Sequence, residues 1–190
     1  MSKSLVLWAV ALSLFIIAFQ AFPLELRYQR DLIIAGEVWR IWTGHLVHTN
    51  YTHLALNLSG LWLLLALSYS VWTAQRLSIT LLILSSGISL FLLLMKPHLM
   101  WYVGLSGALY GLFLLSGVRL ILTKDYLIGV SLVVLVIGKA LLDTFEPDAN
   151  SSALIGAPVI LSAHYSGLVI ASILASFDIY QHYQKFNYAA

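Results

Sequence analysis

Three small groups of residues in this chain have types and spacing suited to acyl-transfer chemistry. The first is Gly104-Leu105-Ser106-Gly107, a hydroxyl flanked by glycines, with Tyr110 one helical turn later on the face of Ser106. The second is His164, inside Ala163-His164-Tyr165-Ser166-Gly167. The third is His48, His53 and Asn57, of which the last two are four residues apart and share one helix face. Read together they provide a nucleophile (Ser106), a general base (His164) and polar donors for a developing oxyanion (His53, Asn57 and the Ser106 backbone N–H). Each group alone has a plainer reading. A serine in an apolar helix bonds back to its own carbonyls, and a histidine near an interface is simply wet. The combination carries the argument. No carboxylate is placed to orient His164, so a Ser–His dyad is expected rather than a triad, with Tyr110 packed against the imidazole.

The setting of these groups makes them stand out. Of 190 residues, 61% are hydrophobic and only 9% are Asp, Glu, Lys or Arg, against about 25% in a soluble domain. So few charges cannot cover a water-facing surface, so the chain is expected to be an all-α membrane protein with the lipid bilayer as its partner. Polar and ionisable groups inside such a bundle are costly and point to function. The net charge of +2 gives no reason to expect nucleic acid. With no cysteine, a disulfide framework and a thiolate metal site are excluded, and no cofactor or metal is expected.

Apolar runs separated by short polar breaks place six helices, at about 5–22, 51–72, 77–95, 105–122, 126–145 and 155–180, in a single domain over residues 1–190. The first run is long and has no small-residue cleavage site before Pro23, so it is expected to be a retained helix. The long break from Pro23 to Asn50 mixes Glu25, Arg27, Arg30, Asp31, Glu37 and Arg40 with Leu, Ile and Trp. It reads as a half-embedded loop with Trp39, Trp42 and Tyr51 at headgroup depth. Lys and Arg tie between the two sides. The fifth loop carries only acid, Glu146 and Asp148, and both termini are expected in the cytoplasm. The start of the fourth helix then faces outside. Thr49, Asn50 and Thr52 are placed to line a water entry there.

Packing gives a reason for Ser106 and His164 to meet. Gly107 and Gly111 form a small-residue face on the fourth helix, and Ala163, Gly167, Ala171 and Ala175 form another on the sixth. Such faces let membrane helices approach closely. A transporter using His48, His53, His98 and His164 is the alternative from another class. Against it, the chain shows no inverted repeat and no matched pair of broken helices.

At these residues the sequence resembles the rhomboid family of intramembrane serine proteases. Glu37-Val38-Trp39-Arg40 is similar to the family's Trp-Arg motif. His48, His53 and Asn57 are similar to its His-x4-His-x3-Asn pattern. Gly104-Leu105-Ser106-Gly107 resembles the nucleophile motif and Ala163-His164-x-x-Gly167 the histidine motif. Ala171 departs from a second glycine common in the family. The resemblance implies a six-helix bundle, catalysis by Ser106 and His164, and supporting roles for Gly104, Gly107, Tyr110, Gly167, Trp39, Arg40 and His48. Trp39 and Arg40 are read as a brace for the first loop, and His48 as a hydrogen-bonded tie from that loop to the second helix. His45 and His98 are read as wet interfacial residues. Thr43-Gly44-His45-Leu46-Val47-His48 and Ala157-Pro158-Val159 resemble the small bacterial rhombosortases. That likeness implies substrates anchored by a C-terminal membrane helix that follows a Gly-Gly-containing motif and precedes a basic tail. It also implies a place in the bacterial inner membrane, with the active site open to the periplasmic face.

Overall fold

The computed structural model describes residues 1–145 and 151–187. The acidic pair Glu146 and Asp148 lies outside the described residues. Short elements are α2 (Pro23–Leu26), α3 (Arg30–Ile34), α4 (Arg40–Thr43) and α9 (Ser151–Ile155), and two-residue strands β1 (Tyr28–Gln29) and β2 (Trp101–Tyr102). The long helices are α1 (Lys3–Phe19), α5 (Tyr51–Ser68), α6 (Ala74–Met95), α7 (Ser106–Leu122), α8 (Tyr126–Phe145) and α10 (Leu161–Asn187). Their starts follow local chemistry. Ser2 accepts from the Leu5 N–H, Asn50 from the His53 N–H and Thr73 from the Arg76 N–H, each satisfying a first-turn donor.

Among the described residues, four helices are long and apolar enough to cross a membrane, namely α5 with its 3-10 extension to Val71, α6, α8 and α10. α1 and α7, at 17 residues each, fall short of the about 20 that a full span takes. The chain is a membrane protein, and its outward faces agree. On α8, Gly129, Leu132, Val136, Ala140 and Asp143 are buried along one stripe, while Leu127, Val134, Leu135, Leu142 and Phe145 are exposed. An exposed apolar face of this extent suits lipid and not water.

The last long helix differs from expectation. It begins at Leu161, not 155, because Gly156 takes φ +67° and Pro158 follows, and together they separate α9 from α10.

α7, as short as α1, buries ten of its 17 residues against four for α1. α7 turns Gly107, Ala108, Leu109, Gly111, Leu112, Leu115 and Gly117 inward and is packed by α5, α6, α8 and α10. Its closest neighbour is α10. A Cβ on Gly107 would stand 2.9 Å from the Ala163 carbonyl oxygen, one on Gly111 2.7 Å from that of Gly167, and one on Gly167 would collide with the Gly107 carbonyl. The small-residue faces therefore meet backbone to backbone, with Ala163 and Ala171 fully buried.

The first loop is tied to the segment that leads into α7. Arg40, 5% exposed, pairs through Nε with Glu37 at 2.6 Å and donates through Nη1 to the carbonyls of Leu24 and Arg27. Thr43 donates to the Leu26 carbonyl at 2.6 Å. β1 and β2 pair antiparallel, Tyr28 opposite Tyr102 and Gln29 opposite Trp101. Gly44 packs against Tyr28 so closely that a Cβ would meet the Tyr28 nitrogen at 2.5 Å, and its carbonyl accepts from the Gly104 N–H at 3.0 Å. The Arg40 brace thus reaches, through Gly44, the residue two before Ser106. Trp39, Trp42 and Tyr51 are exposed, as headgroup anchors would be.

Candidate active site

Ser106 opens α7, where the first-turn N–H groups have no partner within the helix and point out of its end. The turn before it needs glycine. Gly104 has φ +115°, and a Cβ there would meet the His53 ring at 2.8 Å. Across the α7–α10 contact, Ser106 Oγ lies 3.0 Å from His164 Nε2. Tyr110 stacks on the His164 ring, centroids 4.2 Å apart and planes 11° from parallel. This is the packing expected of it.

Ser106 and His164 line a cavity of about 340 Å³. Its walls include Thr49, His53, His98, Tyr102, Val103, and Ile155 through Ile160 apart from Gly156. Tyr102, which sequence reasoning passed over, is buried against the Ser106 turn and donates to the Gly104 carbonyl at 2.8 Å, and burial pushes its phenol pKa up. Of the expected entry residues, Thr49 lines the cavity. Asn50 is occupied: its Oδ1 caps α5 and its amide donates to the Leu154 carbonyl at 3.2 Å. Thr52 is exposed on α5.

A family model described as the rhomboid domain matches residues 35–181. The chain belongs to the rhomboid family. No curated protein matches it. Rhomboid membership makes the chain an intramembrane serine protease, a hydrolase working within the membrane. It also removes the reason for a histidine-lined transporter. Among the described residues, no group of three His, Asp or Glu is placed to hold a metal ion.

The second helix contributes in a more specific way than its motif suggests. Thr49 has one hydroxyl proton, and it goes to the Ile155 carbonyl at 2.6 Å. At 3.1 Å from His53 Nδ1, the same oxygen must then accept, so the neutral His53 ring carries its proton on Nδ1. Its Nε2 side, against Gly104, is therefore an acceptor at rest. To act as the oxyanion donor expected of it, His53 needs a proton on Nε2. Asn57 Nδ2 spends one N–H on the His53 carbonyl at 3.0 Å and keeps the second.

Three further expectations change. His48 does not tie loop to helix through its ring. Both ring nitrogens are buried without a partner, and its backbone is tied instead to the end of α1, exchanging two hydrogen bonds with the Gln20 side chain at 2.8 and 2.9 Å. The ring stands edge-on to His53, 4.9 Å between centroids, and burial beside that second imidazole pulls its pKa down to about 3. His45 is not wet. It is fully buried and donates to Ser89 Oγ, whose own proton goes to the Ile41 carbonyl, and burial lowers its pKa to about 4. His98 is exposed at the cavity mouth, as expected.

Finally, a carboxylate does stand near His164. Asp143 Oδ2 lies 3.6 Å from Nδ1 and accepts from the Tyr110 hydroxyl at 2.5 Å. Its signal in the sequence was weak. Near the end of an apolar helix, a Lys-x-x-x-Asp pair looks like the edge of a polar loop.

Proposed function

We propose that this rhomboid-family protein cleaves the C-terminal anchor of secreted proteins in the bacterial inner membrane, using a Ser106–His164 pair. The observation that carries the reading is Ser106 Oγ at 3.0 Å from His164 Nε2 in the lining of a cavity. His164 takes the Ser106 proton as Oγ attacks a peptide carbonyl. His164 then returns the proton to the leaving amine, and water resolves the acyl-enzyme. The Ser106 backbone N–H and the free amide proton of Asn57 hold the tetrahedral oxygen. His53 joins them once it carries a second proton, or once Thr49 leaves the Ile155 carbonyl.

The Gly-Gly anchor is supported by chemistry and by resemblance. A peptide bond inside a helix is shielded, and glycine lowers the cost of unwinding it by about 1 kcal/mol relative to alanine. Ala157, Pro158 and Val159, which carry the likeness to rhombosortases, line the cavity. We take all six long helices as spans, the first loop as half-embedded, both termini as cytoplasmic and the cavity as open to the periplasm. α1 and α7 are then short spans inside a locally thin or tilted bundle.

The test is co-expression with two reporters that share one membrane helix and one basic tail, only the first bearing Gly-Gly before the helix. The wild-type chain should release the first reporter and the Ser106→Ala chain should release neither. Equal release of both reporters by the wild type would contradict the Gly-Gly preference and favour a general rhomboid protease.

A further inference from the structure

Two helices present groups to the His164 imidazole of α10. α7 supplies Ser106 at Nε2 and the Tyr110 ring against the face. α8 supplies Asp143 beside Nδ1, at 3.6 Å. That distance is too long for a hydrogen bond, and Nδ1 is buried with no hydrogen-bond partner. Asp143 itself is 8% exposed and held from two sides, by the Tyr110 hydroxyl on Oδ2 and by Lys139 on Oδ1. The groups that face it are Lys139 from its own helix, Tyr110 from α7 and His164 from α10. The Tyr165 hydroxyl lies against Thr144 and the Ala140 carbonyl.

A plain i,i+4 ion pair does not account for this placement. Lys139 is half exposed and can reach outward to the polar layer. A partner meant only for that lysine costs least on the same outer face. Asp143 instead turns inward, where a carboxylate is expensive, and bonds the tyrosine that stacks on His164.

The chemistry at Ser106 gives the carboxylate a task. For Nε2 to accept the Ser106 proton, the neutral ring must carry its hydrogen on Nδ1, the side that faces Asp143. When the Oγ–C bond forms and the Ser106 proton moves to Nε2, the ring becomes an imidazolium beside a negative charge, and Asp143 stays ionised throughout. We propose that Asp143 is a positioning residue that holds His164 in the tautomer and orientation able to accept the Ser106 proton, through Tyr110 and through its charge beside Nδ1. This rests on the serine-protease reading above.

Asp143→Asn keeps the size of the side chain and an acceptor for Tyr110 but removes the charge. Steady-state cleavage should show kcat lower by about 10- to 100-fold with KM within about 2-fold of wild type. That is less than the about 10,000-fold loss known where such a carboxylate bonds the ring directly. Asp143→Glu should recover most of the turnover. Nitrogen-15 spectra of histidine-labelled protein, with His164 assigned by its absence from His164→Ala, should show Nδ1–H in the wild type and a mixture of tautomers in Asp143→Asn. Where Asp143→Asn does not fold, Tyr110→Phe keeps the stacked ring, frees the carboxylate, and should lower kcat by about 3- to 10-fold with the same spectral change.

Wild-type kcat in Asp143→Asn would overturn the proposal. So would Asn and Glu variants equally impaired with an unchanged tautomer, which is the pattern of a packing role. The spectra need no substrate, so a wild-type His164 with its proton on Nε2 also overturns it. Equal cleavage by wild type and Ser106→Ala would sink the protease reading instead.

Discussion

The two ends of the α7–α10 pair hold polar groups in opposite ways. At one end Ser106 and His164 face a cavity, and Nδ1 of the ring is left without a hydrogen bond. At the other, Arg119 of α7 pairs with Asp178 of α10 at 2.6 Å and lies over the Trp72 ring, 4.4 Å from its centroid. Trp72 in turn donates to Ser116 at 2.8 Å, and the Ser68 hydroxyl, whose proton goes to the Leu64 carbonyl at 2.6 Å, lies 3.3 Å from the same oxygen. Between the two ends the glycine faces press the backbones together. One end is clamped across the two helices by opposite charges, while at the other the helices are joined by close packing and by one neutral hydrogen bond, between Ser106 and His164.

That contrast can be broken most severely in the middle. Gly167→Val puts a branched side chain where even a Cβ collides with the Gly107 carbonyl, so the helices must separate near Ser106. A shift of about 1 Å at reacting atoms costs roughly 100-fold. Turnover should fall by at least about that factor while membrane insertion, read by fractionation, is unchanged. Asn57→Ala comes next. It removes one oxyanion donor and leaves the Ser–His geometry, so kcat should drop by about 100-fold and stay measurable, since the Ser106 N–H remains. Kinetics with residual activity above that of Ser106→Ala would check it. Arg119→Met should have the smallest effect on chemistry. It breaks the clamped end, lowering stability in detergent by about 1 to 3 kcal/mol, while turnover at a temperature where the variant is folded should stay within about 3-fold of wild type. A collapse of turnover there would show that the clamp, and not the glycine contact, sets the register of Ser106 and His164.

The reactive end was legible in the sequence because its residues are out of place. Serine between glycines, and histidine beside alanine and glycine in an apolar run, have few reasons to be there, and the small-residue faces tell which helices meet. What the sequence did not reveal depends on contacts between distant segments. His45 reads as a wet loop residue until β1 pairs with β2 and the loop folds over it. The tautomer of His53 is set by the Ile155 carbonyl, a partner about a hundred residues away in the chain. Asp143 lies 21 positions before His164, beside a polar loop where a carboxylate is ordinary, so nothing local marks it as turned inward. The start of α10 was placed early because apolar residues continue through 155–160, although Gly156 and Pro158 break the helix there.

The central claim is that His164 activates Ser106 as a nucleophile. Its most direct test is reaction of the purified protein with a fluorophosphonate, with the adduct located by peptide mass spectrometry. One adduct is expected, on Ser106, its rate reduced at least about 100-fold in His164→Ala and nearly unchanged in Arg119→Met. An adduct on another residue, or labelling of Ser106 at the same rate with and without His164, would contradict the account.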